Sequence, residues 1–258
     1  MARAFWKGVI SFGMVAIPVR MSLATERKTP GFHILHKKCL NRSKEVLYCP
    51  QDDEYFSIKE TVRGYEYSKD QFIILDDKDF DKVPVSTSHS INIHSFVDAR
   101  EIDPLLYADS HYLEPDELGA KPFALLKETL IKTGRVGIAK VSFQRREHLV
   151  CLRPEGDVIL LSTLHYNNEV LPPPEPAKAS YTQQELEMAM ALVKVMVKPF
   201  KPEEYHDDYE QALDKVIQAK LKGEKIVAPK PLKVETGDIM AALRASINAA
   251  KKEPVTAR

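Results

Sequence analysis

The chain has 258 residues, 44% of them hydrophobic, and 37 Lys and Arg balance 37 Asp and Glu. That length suits one large domain with appendages, and the composition is that of an ordinary globular protein rather than a disordered or collagen-like chain. Three cysteines, an odd number in a chain too large to need staples, argue against a disulfide scaffold and for a reducing, cytoplasmic setting.

The formal charge of zero hides segregation. Residues 19–51 sum to +5, 52–118 to −11, 119–153 to +6, 154–218 to −7 and 219–258 to +5. Such blocks can build one basic surface on a neutral protein, and the local field is what attracts phosphate.

The opening stretch MARAFWKGVISFGMVAIPVRMSLATE offers a basic start and an apolar run, as a secretory leader would. Gly8 and Gly13 interrupt the run, Pro18 ends it, and Arg20 stands where a cleavage site needs small residues. Val9, Val15, Ile17 and Val19 share one parity, and Ile10, Phe12, Met14 and Ala16 the other. Both faces are apolar, which predicts a strand covered on both sides. No other stretch is long and apolar enough to span a bilayer.

Residues 26–75 begin richly basic and continue with turn residues and short apolar alternations. Tyr65-Glu66-Tyr67 and Phe72-Ile73-Ile74-Leu75 read as strands, and residues 90–97 as another. A helix follows, with Pro122 in its first turn, Leu125, Leu126 and Leu130 on its apolar face, and Gly134 as its stop. VGIAKVSFQ, HLVCLR and DVILLSTL predict a three-strand meander, with a turn at Pro154-Glu155-Gly156.

PPPEP at 172–176 is a stiff break, after which the apolar period becomes 3.6. Thr182 and Glu185 form a capping box for one helix ending near Pro199. A second carries Tyr209, Leu213, Val216, Ile217 and Leu221 on one face, with Gly223 as its stop. A Lys/Pro linker at 224–235 leads to a short amphipathic segment with Asp238 near its start. Its stripe of Ile239, Met240, Leu243 and Ile247 must either fold back or dock on a partner.

Signatures of catalysis are poor. Phosphate-cradling glycine motifs, a nucleophile elbow and H-E-x-x-H are all absent. Asp76-Asp77 and Asp207-Asp208 lie in charge-rich stretches that read as solvated faces. His33, His36, Cys39 and Cys49 offer nitrogen and sulfur donors for zinc. Their H-x2-H-x2-C-x9-C spacing matches no common finger, however, and His33 and His36 would point apart on a strand, so no metal site is assigned.

Several stretches carry a resemblance: FWKGVISFGMVAIPVRMSLATE, LHKKC, YCP, RGYEY, FVDAREIDPLLY, HYLEPDELGAKPFALLKE, REHLVCLRPEGDVILLSTLHYNNEV and DDYEQALDKVIQAKLKG. In their order and over essentially the whole chain, they resemble bacterial Ku, the DNA-end-binding protein of non-homologous end joining. The resemblance implies a β-dominated α+β fold, with a β-barrel core over 1–180 and an inserted, extended bridge arm at 26–75. A C-terminal helical arm at 181–223 would pack across the dimer, and a linker and ligase-recruiting tail would occupy 224–258. It implies a homodimeric ring that threads double-stranded DNA ends, a partner in the ATP-dependent DNA ligase D, no cofactor and no chemistry of its own.

Ring binding would be sequence-independent, through Lys and Arg to phosphate. By charge and position the expected contacts are Arg20, Lys28, Lys37, Lys38, Arg42 and Lys44 at the arm, and Lys140, Arg145 and Arg146 in the meander. Ile239, Met240, Leu243 and Ile247 would anchor the ligase. Two departures from the family stand out: Asp52 replaces the second cysteine of a C-x-x-C, and little follows Lys251-Lys252 where some members carry a lysine-rich extension. The alternative reading is a β-barrel binder of single-stranded DNA or RNA that stacks bases on Phe143 and Tyr166. A metal-dependent nuclease built on the acidic clusters is a third.

Overall fold

The computed structural model describes residues 4–83, 89–224 and 239–252, apart from Arg27, Thr29, Arg145, Ala177 and Lys178. The chain forms two units, residues 1–28 with 32–172, and residues 29–31 with 173–258.

The opening apolar stretch is two strands, not one. β1 (Trp6–Phe12) turns at Gly13, φ 58°, into β2 (Val15–Leu23), antiparallel to it, with Trp6 opposite Met21. The hairpin resets the parity. Trp6 and Ile10 face inward from β1, and Ile17, Val19 and Met21 from β2, while Met14 at the turn is fully exposed. The apolar run looked two-faced because two one-sided strands were read as one. At Gly8 a Cβ would lie 2.4 Å from the His89 carbonyl oxygen and 2.3 Å from the Trp6 ring, so no larger residue fits.

The chain then leaves the barrel for residues 24–89. This arm holds two hairpins, β3 (Leu47–Cys49) with β4 (Glu54–Phe56), and β5 (Arg63–Ser68) with β6 (Gln71–Leu75). A short helix α1 (Asp77–Asp81) follows, capped by Asp76. None of its described residues is buried.

β7 (Ser90–Asp98) returns to lie parallel to β1, Val9 opposite Ser90, an arrangement only a long excursion permits. β8 (Tyr107–Pro115), helix α2 (Ala120–Thr133), β9 (Arg135–Phe143), β10 (Arg146–Glu155) and β11 (Val158–Leu164) complete the unit. The strands close a barrel in the order β1-β2-β8-β11-β10-β9-β7, antiparallel except at β1–β7. Closure removes sheet edges. The β10–β11 turn lies at Gly156-Asp157, because β10 continues through Pro154 and Glu155.

Inward positions pack one core of Ile10, Ile17, Val19, Met21, Ile91, Leu113, Ala139, Val141, Val150, Leu152, Ile159 and Leu161. Helix α2 adds Phe123, Leu126 and Leu130 to it and stops at Gly134, φ 63°. Leu125, assigned to that face from the sequence, is 69% exposed; Phe123 takes its place one turn before Leu126 and Leu130. The outer faces of β9 and β10 are apolar as well. Val136 and Cys151 pack with Ile102 and Leu164 in a second cluster, which Leu106 and Tyr107 help to cover.

In the second unit, α3 (Gln183–Met196) starts at the capping box read from the sequence. Thr182 Oγ1 accepts from the Glu185 amide at 3.3 Å, and the Glu185 carboxylate accepts from the Thr182 amide at 2.6 Å. α4 (Asp208–Leu221) is capped by Asp207 and followed by Gly223, φ 73°. Of its expected face, Leu213, Val216 and Ile217 are half-buried, while Tyr209 and Leu221 are exposed. α5 (Ile239–Lys252) packs against α3. Asp238 and the linker from 225 onward lie outside the described residues.

Candidate nucleic-acid interface

The basic limb of the arm is built around a small turn. Leu35 and Arg42 form an isolated antiparallel bridge. The His36 amide donates to the Asn41 carbonyl at 2.8 Å, the Leu40 amide to the His36 carbonyl at 2.7 Å, and the Ser43 amide to the Ile34 carbonyl at 2.9 Å. Lys37 and Lys38 therefore sit at the tip of a hydrogen-bonded turn, both exposed. Arg42, across the bridge, donates to His33 Nε2 at 2.8 Å, which steadies the guanidinium without neutralising it. Lys28 and Lys44 are exposed too. Among the described residues, none of Lys28, Lys37, Lys38, Arg42 and Lys44 has a carboxylate within 4.0 Å. Uncompensated cations held on a turn suit a polyanion better than cations already paired.

The barrel cations differ. Arg20 stands on β2 rather than on the arm, its Nε 3.1 Å from Asp116. Lys140 on β9 donates to Glu147 on the next strand at 2.9 Å, and that bond raises its pKa above the ordinary lysine value. Arg146 pairs with Glu169. The carboxyl of Glu169 is held below the usual range, first by the Tyr166 amide and then by Arg146. Arg145 lies outside the described residues. The structure thus separates the eight described cations into a free arm group and a paired barrel group, a distinction set by cross-strand neighbours.

The candidate zinc donors form two separate pairs. His36 Nδ1 is 3.2 Å from Cys39 Sγ, and Cys49 Sγ donates to Asp52 at 3.2 Å. The residue after each pair is left-handed, Leu40 at φ 56° and Asp53 at φ 53°. His33 is turned instead to Arg42. Among the described residues, no three His, Cys, Asp or Glu side chains converge as a metal site would require.

One barrel mouth holds a site that the sequence reading passed over. His111 on β8, and Phe143 and His148 at the facing ends of β9 and β10, come together there with Phe5. Phe143 stacks on His148 with ring centroids 4.1 Å apart and planes 14° from parallel; His111 lies 5.7 Å from Phe143 and 5.4 Å from Phe5. His111, Phe143 and His148 border a cavity of about 530 Å³, also lined by Asp109, Arg146, His165 and Glu169. His111 is 4% exposed, and among the described residues its Nδ1 and the Nε2 of His148 are buried without a hydrogen-bond partner. Burial pushes both imidazoles below the ordinary histidine pKa. A polar aromatic on the same parity as Leu113 was the available signal. Phe143, engaged in this cluster, is half-buried, and Tyr166 is half-buried with its hydroxyl donating to the Glu147 carbonyl at 3.4 Å. Neither offers the open ring that base stacking needs.

The chain is thus a closed seven-strand β-barrel protein with an inserted arm that, among its described residues, buries no side chain and bears a cluster of exposed cations without a carboxylate partner. Comparison with known proteins agrees. The model of the Ku family, described as the Ku70/Ku80 beta-barrel domain, matches residues 11–188. Over 256 residues the chain is 40% identical to the non-homologous end joining protein Ku of Solibacter usitatus, covering 98% of this chain and 96% of that one. It is 41% identical over 253 residues to the protein of the same name from Archaeoglobus fulgidus, covering 96% and 100%. Against that of Frankia casuarinae it is 39% identical over 254 residues and spans 64% of that longer chain. The chain belongs to the Ku family. Among the described residues, no helix is long and apolar enough to cross a membrane.

Proposed function

We infer that this protein binds the ends of double-stranded DNA without sequence preference and acts in non-homologous end joining, as the names of its relatives state for them. It works as a homodimer whose two barrels and arms close a ring that a broken end threads. The observation that carries this reading is the arm, which among its described residues has no buried side chain and holds a tip of uncompensated cations. A segment without a core of its own is ordered by what it grips or pairs with.

The phosphate contacts are first Lys28, Lys37, Lys38, Arg42 and Lys44. Arg20, Lys140 and Arg146 follow, because each must give up a carboxylate to reach phosphate; Arg145 belongs with them by sequence. The protein acts by binding and scaffolding, with no reaction of its own. Ile239, Met240, Leu243 and Ile247 on α5 recruit the ATP-dependent DNA ligase D.

A gel-shift on one duplex, offered as a linear fragment and as a covalently closed circle, tests the ring. Binding of the linear form alone, with bands stepping up as its length grows, is expected. Equal binding of both forms would replace threading with side-on attachment.

A further inference from the structure

Helix α5 has one apolar stripe. Met240, Leu243, Ile247 and Ala250 recur along one side and are half-buried. The rest of the helix from Ala241 to Ala249 presents Ala, Arg, Ser and Asn and is exposed. The stripe is covered by α3, whose half-buried side is Glu185, Met188, Ala189 and Leu192. Only Ile239, at the start of α5, is left well exposed among its large apolar residues.

A helix of fourteen residues is marginal in water without a surface to pack on. α3 supplies that surface within the same chain. Only residues 222–238 separate α4 from α5. A tether that short gives an effective concentration on the order of millimolar, so a contact too weak to hold two separate molecules suffices here.

The stripe that would seat α5 on a ligase is the stripe α3 already covers, and the opposite side has no large apolar group to replace it. The two contacts are therefore mutually exclusive. We propose that α3 is an intramolecular clasp for the ligase-recruiting tail: the tail rests stowed on Met188, Ala189 and Leu192, and the ligase captures it only in the released fraction. The inference rests on the assignment of α5 to ligase docking. Its consequence is that the apparent dissociation constant for the ligase is the intrinsic one divided by the fraction released, so a clasp open one time in ten weakens apparent binding about tenfold.

The test uses the full-length protein and two sets of substitutions. Met188→Asp with Leu192→Asp removes the clasp without touching the tail; Leu243→Asp with Ile247→Asp removes the tail's anchors. Amide exchange over 240–250 reads the stowed contact without any ligase, and titration with the ligase reads its consequence. In the unmodified protein the α5 amides exchange slowly. Opening the clasp should deprotect them and tighten ligase binding about tenfold. The milder Met188→Ala with Leu192→Ala should move both in the same direction by less, and guards against a folding defect. Substituting the tail should deprotect α5 and abolish ligase binding.

If the clasp variants leave α5 protected, or deprotect it without tightening the ligase, the clasp is wrong while tail docking stands. If the tail variants lose protection and still bind the ligase normally, the docking assignment is wrong and the gating falls with it.

Discussion

The arm is an insertion between two strands of the barrel, yet barrel and arm are held together by opposite means. The barrel buries a dozen aliphatic side chains inward and plugs them with Phe123, Leu126 and Leu130. Among its described residues the arm buries none, and it exposes Phe32, Ile34, Tyr65, Phe72, Ile73 and Ile74. Two-stranded hairpins such as β3–β4 and β5–β6 are marginal in water when isolated. The comparison separates a part held by its own core from a part that, among the described residues, has none.

Stability breaks that comparison most sharply. Leu161→Ala, at a fully buried barrel position, should cost about 2–5 kcal/mol in denaturant unfolding. Ile74→Ala in the arm should cost less than about 0.5 kcal/mol in the free protein. Similar costs at both sites would mean the arm has a core after all.

Charge tests the arm in the other direction. Reversal of Lys37, Lys38 and Arg42 to Glu together should leave unfolding unchanged and nearly abolish duplex-end binding. The slope of log affinity against log salt should fall by about 5, three contacts being lost from each of the dimer's two arms. Lys140→Gln, in a residue already paired with Glu147, should change that slope far less. A triple variant with the original slope would remove the arm tip from the interface.

A smaller effect lies in pH. Burial holds His111 and His148 below the ordinary 6.5 of an imidazole. The unfolded chain takes up protons that the folded barrel refuses once pH drops below that value. Stability is therefore full above about 6.5 and declines as pH falls beneath it. His111→Phe should flatten the decline between pH 7.5 and 5, read as the denaturation midpoint at each pH. An unchanged pH profile would show that His111 is not the titrating group.

The mildest probe is thiol reactivity. Cys151 is fully buried in the barrel wall, and burial pushes its thiol up, whereas Cys39 is exposed and Cys49 half-exposed on the arm. Two thiols should react quickly with an aromatic disulfide reagent under native conditions, and the third only on unfolding. Fast reaction of all three would mean the barrel opens readily.

Much of this was legible in residue order because local rules acted alone. Thr182 with Glu185, Gly134 and Gly223 mark helix ends by backbone chemistry, and the meander over β9, β10 and β11 follows from period-two patterning between turn residues. The stretches shared with Ku named the family, and the resemblance implied the inserted arm, which the basic start of residues 26–75 fitted. The two-strand nature of the opening was hidden, because a two-residue turn at Gly13-Met14 interrupts a run that stays apolar throughout.

Other features belong to the tertiary structure because they depend on neighbours far apart in the chain. Closure of the barrel rests on β1 meeting β7 some eighty residues away, which no local pattern encodes. Which cations are free depends on strand register: Lys140 meets Glu147 and Arg20 meets Asp116 across the sheet, while the arm tip meets no carboxylate among the described residues. The gathering of His111, Phe143 and His148 at one mouth needs three strands in register. Amphipathy announced that the α5 stripe requires cover; only the packed helices identify α3 as what covers it. Residue order sets propensity and pattern over a few turns of chain, whereas pairing across the fold is decided by burial and register, which exist only once the chain has closed.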